Sequence, residues 1–161
     1  MFCERFVTNW KMEIKQSRVL KHPKIIKTIL KNCNVLDPLV IFYNSPLYYL
    51  QDNKKYVAFL TIKEACNRTE LGTVYTFPEF RKRGFMRRLC AKVCKKHDTI
   101  CLLCDKDTAP FYKKLGFSTC KSCGWWFTFR IYFFNYILRP FFGYTLICMK
   151  KLRVHNEPKE K

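Results

Sequence analysis

Residues 77–94 read FPEFRKRGFMRRLCAKVC, and this stretch joins a strand-like segment to an amphipathic helix. The segment Glu70–Phe77 is a predicted strand that ends at Pro78, because proline cannot donate a hydrogen bond to a sheet. Beyond the loop, apolar residues recur at helical spacing and define one face of a helix: Phe85, Met86, Leu89, Cys90, Val93 and Cys94. The stretch therefore predicts a strand, a basic loop and a helix in succession.

The loop between the two elements has the composition of an anion site. Eight Lys or Arg and no acid lie between Phe80 and His97. Backbone N–H groups at the start of a helix attract anions, and flanking cations strengthen the attraction. Gly84 permits a positive φ or a close approach of a phosphate to the backbone. We predict a phosphate-binding loop, and the alternative is a solvated basic helix face.

The rest of the chain predicts a mixed α/β fold. Proline at a helix start and the apolar spacing after it favour a helix from Pro23. The segments Leu47–Gln51 and Tyr56–Ile62 flank the turn Asp52-Asn53 and are expected to form a hairpin. The other predicted elements are strands within Phe2–Ile14 and at Leu39–Tyr43, Thr99–Cys104 and Tyr144–Met149, and a helix at Thr108–Leu115 that Gly116 ends.

The composition indicates one folded, strongly basic domain. The chain has 161 residues, of which 48% are apolar and 17% aromatic, enough for a real core. We expect one domain over residues 1–152 and a charged tail over residues 153–161. The net charge of +19 favours an anionic partner, whether nucleotide, nucleic acid, acidic protein or membrane surface. Charged residues interrupt the first fifteen positions, so no signal peptide is expected and the predicted location is cytoplasmic.

Ten cysteines raise the question of a metal site. The pairs Cys101/Cys104 and Cys120/Cys123 have a spacing that fits a zinc ribbon. Cys101 and Cys104 nevertheless lie in a predicted strand, where residues three apart point to opposite faces. We therefore expect no metal and read the cysteines as reduced.

The segment from Trp125 to Met149 contains eleven aromatic residues in 25 positions. It is long enough to span a bilayer, but Arg130 and Arg139 would each cost about 2.5 to 3.5 kcal/mol at the membrane centre. The favoured interpretation is a long aromatic hairpin or loop that completes the sheet and shapes an acceptor pocket. Contact with a membrane surface through residues 125–149 is the alternative.

Two ordered motifs resemble those of the GNAT superfamily of N-acetyltransferases. The loop resembles the family's acyl-CoA motif Q/R-x-x-G-x-G/A, in which Arg81 and Gly84 match while Met86 replaces the small last residue and narrows the space beside the pyrophosphate. Residues 109–117, APFYKKLGF, resemble the family's A-x-x-Y-x-K-x-G-F segment. The resemblance implies a mixed, mostly antiparallel sheet flanked by helices, with acetyl-CoA as co-substrate and an amine of unknown identity as acceptor.

The resemblance also implies roles for particular residues. Tyr112 matches the family tyrosine that acts as general acid toward the CoA thiolate, and Glu70 is placed like the base glutamate of histone-type members. Glu64 is a weaker candidate for the base. The residues expected to bind the cofactor are Phe77, Arg81, Lys82, Arg83, Gly84, Phe85, Met86 and Asp105, the last where many members carry an asparagine facing the pantetheine.

Two other functions fit parts of the sequence. A nucleic-acid-binding module is favoured by the charge and the aromatic residues, although no recognisable reader motif is present. The other is a GNAT fold that binds CoA without catalysis, which the departure at Met86 suggests.

Overall fold

Seven strands form one mixed sheet in the computed structural model, which describes residues 12–32, 37–65, 68–121, 124–138, 140, 143 and 145–152. The strand order is β1-β2-β3-β4-β5-β7-β6. The strands are β1 (Ile14–Arg18), β2 (Pro46–Asp52), β3 (Lys55–Ala65), β4 (Arg68–Thr76), β5 (Thr99–Asp105), β6 (Ser118–Thr119) and β7 (Leu146–Leu152). Neighbouring strands are antiparallel except β4 and β5, which are parallel. The predicted fold class is confirmed.

Helices cover both faces of this sheet. They are α1 (Pro23–Lys31), α2 (Leu39–Phe42), α3 (Phe85–Cys94), α4 (Ala109–Lys113) and α5 (Trp125–Tyr132), which continues as a π-helix (Phe133–Leu138). Short 3₁₀ turns occupy Val19–Lys21, Pro78–Phe80 and Lys106–Thr108. None of the helices within the described residues is long and apolar enough to cross a membrane.

The alternation of side chains along the strands divides the core in two. On one face α3 and α4 pack over residues such as Leu60, Leu102 and Met149, and we call this the α3 core. On the other face α1 and α2 pack over a cluster around Phe59, the α1 core. Phe127 of α5 packs on Cys101 and Cys148, whose strand neighbours Leu102 and Met149 belong to the α3 core, so α5 shares the face of α1 and α2.

Most of the predicted elements are confirmed. The helix begins at Pro23, strands β2 and β3 pair as a hairpin, and α3 starts at Phe85. The helix predicted to end before Gly116 is present as α4, and Gly116 has a φ of +85°. Most of the strand predicted within Phe2–Ile14 and the charged tail 153–161 lie outside the described residues.

Two predicted elements are wrong. The segment Leu39–Tyr43 was expected as a strand, but Leu39–Phe42 is helix α2, because the Asp37 carboxylate accepts a hydrogen bond from the Leu39 N–H at 2.9 Å and so satisfies a free donor at the helix start. Residues 125–138 are helical, not a hairpin or loop. Aromatic residues favour strands in general, yet here the inward positions recur every three or four residues at Phe127, Ile131 and Phe134, which is helical spacing.

Candidate functional site

Strands β4 and β5 separate at one end of the sheet. Their pairing covers only Thr69–Leu71 of β4 and Ile100–Leu102 of β5, although β4 continues to Thr76 and β5 to Asp105. Beyond Leu71 and Leu102 the facing backbone groups of the two strands do not pair with each other. An opening therefore lies between the strand ends, next to the loop that leads into α3.

A β-bulge in β4 begins where the strands separate. Leu60 of β3 lies opposite Val74 and Ile62 lies opposite Leu71, so Thr61 faces both Gly72 and Thr73. The Thr61 hydroxyl accepts a hydrogen bond from the Thr73 N–H at 2.8 Å, and a Cβ on Gly72 would come within 2.8 Å of that same oxygen. A bulge bends its strand, so the close approach at Gly72 supports the course of β4 away from β5.

The basic loop delivers the N-terminus of α3 to this opening. Gly84 is the N-cap of α3 with a φ of +76°, and Lys82 is also left-handed with a φ of +61°. An α-helix leaves the N–H groups of its first turn without intrahelical partners. The N-cap residue, Gly84, has no side chain, and the first turn of α3 contains no acid. The positive end of the helix dipole thus lies in the basic loop, where it favours an anion.

The cations of the loop are held by aromatic rings and backbone. The Arg81 guanidinium donates to the Thr76 carbonyl at 3.2 Å and lies 5.9 Å from the centre of the Tyr75 ring. The Arg83 guanidinium lies 6.0 Å from the ring centre of Phe80. The contacts with the two rings are cation–π interactions. They hold the exposed Arg81 and Arg83 side chains beside the loop.

Three of the predicted cofactor residues are buried. Phe77 packs in the α1 core, and its backbone N–H and carbonyl both form hydrogen bonds. Phe85 and Met86 are each 8% exposed and belong to the α3 core. The Met86 side chain therefore fills the core instead of the space over the loop. Of these three residues, Phe85 and Met86 place their backbone in the first turn of α3, where an anion would bind.

Tyr112 lies on α4, with its ring partly buried in the α3 core between Phe111 and Phe117. Burial raises the pKa of its phenol above the ordinary value of 10.0, and the neighbouring thiols of Cys90, Cys104 and Cys94 add to this shift. The hydroxyl is therefore protonated at neutral pH. The phenol therefore carries a proton that it can donate in a hydrogen bond or transfer to a reacting group.

Asp105 ends β5 on the other side of the opening. Its carboxylate accepts hydrogen bonds from the Thr145 N–H at 3.0 Å and the Asp107 N–H at 3.4 Å, and its carbonyl accepts from the Thr108 hydroxyl. The side chain thus fixes the turn into α4 and the approach to β7. These bonds position the segment that carries Tyr112.

Glu70 is buried in a network of four charges that we call the charge network, formed by Asp37, Lys63, Glu70 and Arg130. Nη1 of Arg130 lies 2.8 and 2.9 Å from the two carboxylate oxygens of Glu70, and Nη2 lies 3.3 Å from Oδ2 of Asp37. The Lys63 ammonium lies 3.2 Å from Oε2 of Glu70 and also pairs with Asp37. The charges of the two carboxylates and the two cations cancel. The Glu70 side chain is 2% exposed, so this cancellation occurs in a buried place.

Sequence reasoning singled out Glu70 but missed its partners. Lys63 and Glu70 are directly opposite in the β3–β4 register, so the pattern of a hairpin with opposite charges was a usable signal. Arg130 is sixty positions away from Glu70, and nothing local marks the two as partners. The alternative base, Glu64, is an exposed residue next in sequence to Lys63.

Cys101 and Cys104 of β5 point to opposite faces of the sheet, as residues three apart in a strand do. Cys101 packs with α5, whereas Cys104 belongs to the α3 core on the opposite face. The thiols of Cys120 and Cys148 are 3.2 Å apart, and Cys123 lies outside the described residues. In the part of the chain that the structure describes, no group of three or more His, Cys, Asp or Glu is placed to hold a metal ion.

The comparison with known proteins agrees with this geometry. The family model described as "Acetyltransferase (GNAT) domain" matches residues 44–119, which begin just before β2 and end with β6. The matched range includes the bulge, the loop, α3 and Tyr112. A search of curated proteins found no match.

Several solved structures share the fold. An IAA acetyltransferase from Bacillus cereus has a TM-score of 0.66 and 11% identity over 88% of this chain and 99% of its own. N-acetylglutamate synthase from Neisseria gonorrhoeae, solved with coenzyme A and N-acetyl-glutamate, has a TM-score of 0.65 and 16% identity over 88% of this chain. This chain spans 35% of the length of that synthase.

A GNAT family acetyltransferase from Elizabethkingia anophelis, solved with acetyl-CoA bound, has a TM-score of 0.56 and 12% identity over 88% of this chain and 98% of its own. Likeness at these identities shows a shared fold. The family model adds the match in sequence over the strands and loop that build the site. Residues 44–119 thus match the GNAT acetyltransferase family model, and the chain shares its fold with GNAT family acetyltransferases of known structure.

Proposed function

We propose that this protein is an acetyl-CoA-dependent N-acetyltransferase that transfers an acetyl group to a primary amine. The observation that carries the proposal is the N-terminus of α3, which begins at Gly84 in a basic loop beside the opening between β4 and β5. Coenzyme A and acetyl-CoA in the structures with the same fold support it. The cytoplasmic location stays a prediction from the sequence.

The residues present fit a diphosphate. The backbone of residues 82–86 would hold the pyrophosphate of acetyl-CoA at the start of α3, and Arg81, Lys82 and Arg83 would balance its charge. Because Met86 packs into the core, its size does not narrow this site. The unpaired edges of β4 and β5 offer backbone donors and acceptors to the amide groups of the pantetheine arm.

When bound, acetyl-CoA supplies a thioester, whose carbonyl carbon forms a bond to the amine nitrogen while the carbon–sulfur bond breaks. The amine loses one proton in this exchange, and the thiolate gains one. We assign the second proton to the phenol of Tyr112, which burial keeps protonated.

Acceptance of the amine proton by Glu70 would require a free carboxylate oxygen. In the structure Arg130 and Lys63 donate to both oxygens, so an amine proton would compete with two fixed cations. The geometry favours Glu70 as the centre of the charge network. We propose that the network braces the bulged strand β4, and the Glu70→Gln variant described below tests proton acceptance by Glu70.

A screen of acceptors tests the proposed activity. The purified protein is incubated with acetyl-CoA and a panel of primary amines and lysine-containing peptides, and thiol release is measured. We expect at least one amine to give release above the rate of hydrolysis. Stabilisation against heat by acetyl-CoA with no release for any amine would favour the non-catalytic CoA binder, and stabilisation by an oligonucleotide alone would favour the nucleic-acid module.

Replacement of Tyr112 by phenylalanine tests the role of the phenol. The change keeps the ring between Phe111 and Phe117 and removes only the hydroxyl, so the fold and the affinity for acetyl-CoA should persist. Turnover should fall by on the order of 10²-fold, the usual contribution of a general acid. Since the phenol is protonated well past neutral pH, wild-type activity should show no loss near pH 7 that the Phe variant lacks. Equal turnover in both proteins, with chemistry rate-limiting, would contradict the role.

A further inference from the structure

The helical segment 125–138 carries large apolar side chains on its solvent face, and its Arg130 and Asn135 side chains point toward the protein. Residues on its outward face are large and mostly aromatic, and we call them the aromatic ridge: Trp125, Phe129, Tyr132, Phe133, Tyr136 and Ile137. Their positions recur every three or four residues, and Trp125 is 72% exposed. The rings stack along the ridge, with centres 4.3 Å apart for Tyr132 and Tyr136.

The polar side chains of the same segment point inward and hold it in place. Arg130 pairs with Glu70 and Asp37 in the charge network. The Asn135 amide donates to the Leu146 carbonyl at 2.9 Å and accepts from the Leu146 N–H at 2.8 Å, as a neighbouring strand would. The Arg130 and Asn135 side chains are therefore committed to contacts with the rest of the protein, and these contacts hold the ring-bearing face of the segment toward solvent.

This arrangement is the reverse of a surface helix in water, which turns its charged residues outward. Contiguous exposed apolar surface marks a site of contact with a protein or a membrane. The ridge is rich in Trp and Tyr, whose rings are apolar and whose N–H and O–H groups are polar. Such residues collect at the boundary between lipid headgroups and acyl chains.

A basic depression adjoins the start of the ridge. It has a volume of about 580 Å³ and lies at the opposite end of β4 and β5 from the loop that leads into α3. Its wall contains three cations, Arg68, Lys96 and Lys150, and one acid, Asp98. The Arg68 side chain lies beside Gly124, the residue before α5, with its Nε 3.4 Å from the position of a Cβ there. Cations thus stand next to the aromatic residues.

We propose that the aromatic ridge docks on the surface of a lipid bilayer that contains acidic lipids, with the basic depression facing their headgroups. The net charge of +19 is complementary to such a surface and opposes the alternative contact with a second copy of the same chain. The segment consists of an eight-residue helix and a six-residue π-helix, shorter than the roughly 20 residues that span a bilayer. It therefore lies on the membrane and not across it.

Vesicle flotation with a matched pair of variants tests the proposal. The ridge variant carries Trp125→Ser, Phe129→Ser, Tyr132→Ser and Tyr136→Ser, all at exposed positions. The control carries Phe42→Ser and Tyr43→Ser, which remove two exposed aromatic residues from α2, outside the ridge. Vesicles are phosphatidylcholine alone or phosphatidylcholine mixed with phosphatidylserine, and circular dichroism verifies that each variant is folded.

We expect the wild-type protein and the control to float with the phosphatidylserine vesicles. The partition coefficient of the ridge variant on these vesicles should be lower by about tenfold or more. A third variant, Arg68→Gln with Lys150→Gln, should lose the preference for phosphatidylserine while keeping its folded spectrum. Equal flotation of the wild-type and ridge proteins would overturn the proposal. The proposal would also be overturned if the wild-type protein were a dimer, the ridge variant a monomer, and neither floated, because the ridge would then join two copies of the chain.

Discussion

Replacement of Gly84 by valine is expected to raise the dissociation constant for acetyl-CoA by about 10²-fold, which corresponds to roughly 2.7 kcal/mol. Gly84 has a φ of +76°, a conformation that a β-branched residue adopts only with strain. A Cβ at this position would meet no protein atom within 4 Å, so the side chain would point into the open space at the start of α3. That space is where we place the pyrophosphate, and the branched side chain would keep the phosphate from the backbone N–H groups.

Gly143 provides a matched control. It has a φ of +69°, and a Cβ there also meets nothing within 4 Å. Gly143→Val should therefore cost similar backbone strain, while acetyl-CoA affinity measured by calorimetry stays within about twofold of the wild-type value. Unchanged affinity in Gly84→Val, or an equal loss in both variants, would remove the loop from the binding site.

Replacement of Arg130 by methionine is expected to lower the free energy of unfolding by about 3 to 5 kcal/mol. The change leaves the buried Glu70 and Asp37 carboxylates with Lys63 as their single remaining partner in the charge network. A buried charge without compensation costs far more than the lost ion pair contributes. Urea denaturation followed by circular dichroism gives the value. Arg87→Met, at an exposed position on α3, is the control and should change stability by less than about 0.5 kcal/mol.

A double-mutant cycle separates the network from ordinary packing. Glu70→Gln alone leaves an excess cation, whereas Glu70→Gln combined with Arg130→Met leaves the neutral pair of Lys63 and Asp37. The double variant should therefore lose less stability than the sum of the two single variants, by at least about 1 kcal/mol. Strict additivity would mean that the charges act independently. Loss of turnover in Glu70→Gln with its stability unchanged would instead make Glu70 the base.

Local patterns were sufficient for the half of the molecule in which we propose that CoA binds. The helical spacing from Phe85 to Cys94, the strand end at Pro78 and the glycine at the helix start each have a nearby physical cause, and each is present in the structure. The departure of β4 from β5 was not foreseen, because it depends on how the Gly72 bulge meets Thr61 on a neighbouring strand.

The other half depends on contacts between distant segments. The aromatic composition of residues 125–138 resembles that of a strand, but Arg130 and Asn135 find partners inside the fold only if the segment is helical. The burial of the Met86 side chain was likewise not predictable from the motif alone, because its direction follows from the way α3 packs on the sheet. At these sites the sequence shows the type of each residue, but it does not show which distant residue packs against it.

Acetyl-CoA binding at the start of α3 is tested most directly by nuclear magnetic resonance with glycine-selective ¹⁵N labelling. The chain contains five glycines, so the spectrum has five backbone amide signals, which single glycine-to-alanine variants assign. On titration with acetyl-CoA we expect the largest shift at Gly84, with smaller shifts at Gly72 beside the opening and none at Gly124 or Gly143. A Gly84 signal that stays in place at saturating acetyl-CoA, or a largest shift at Gly124, would contradict the proposed site.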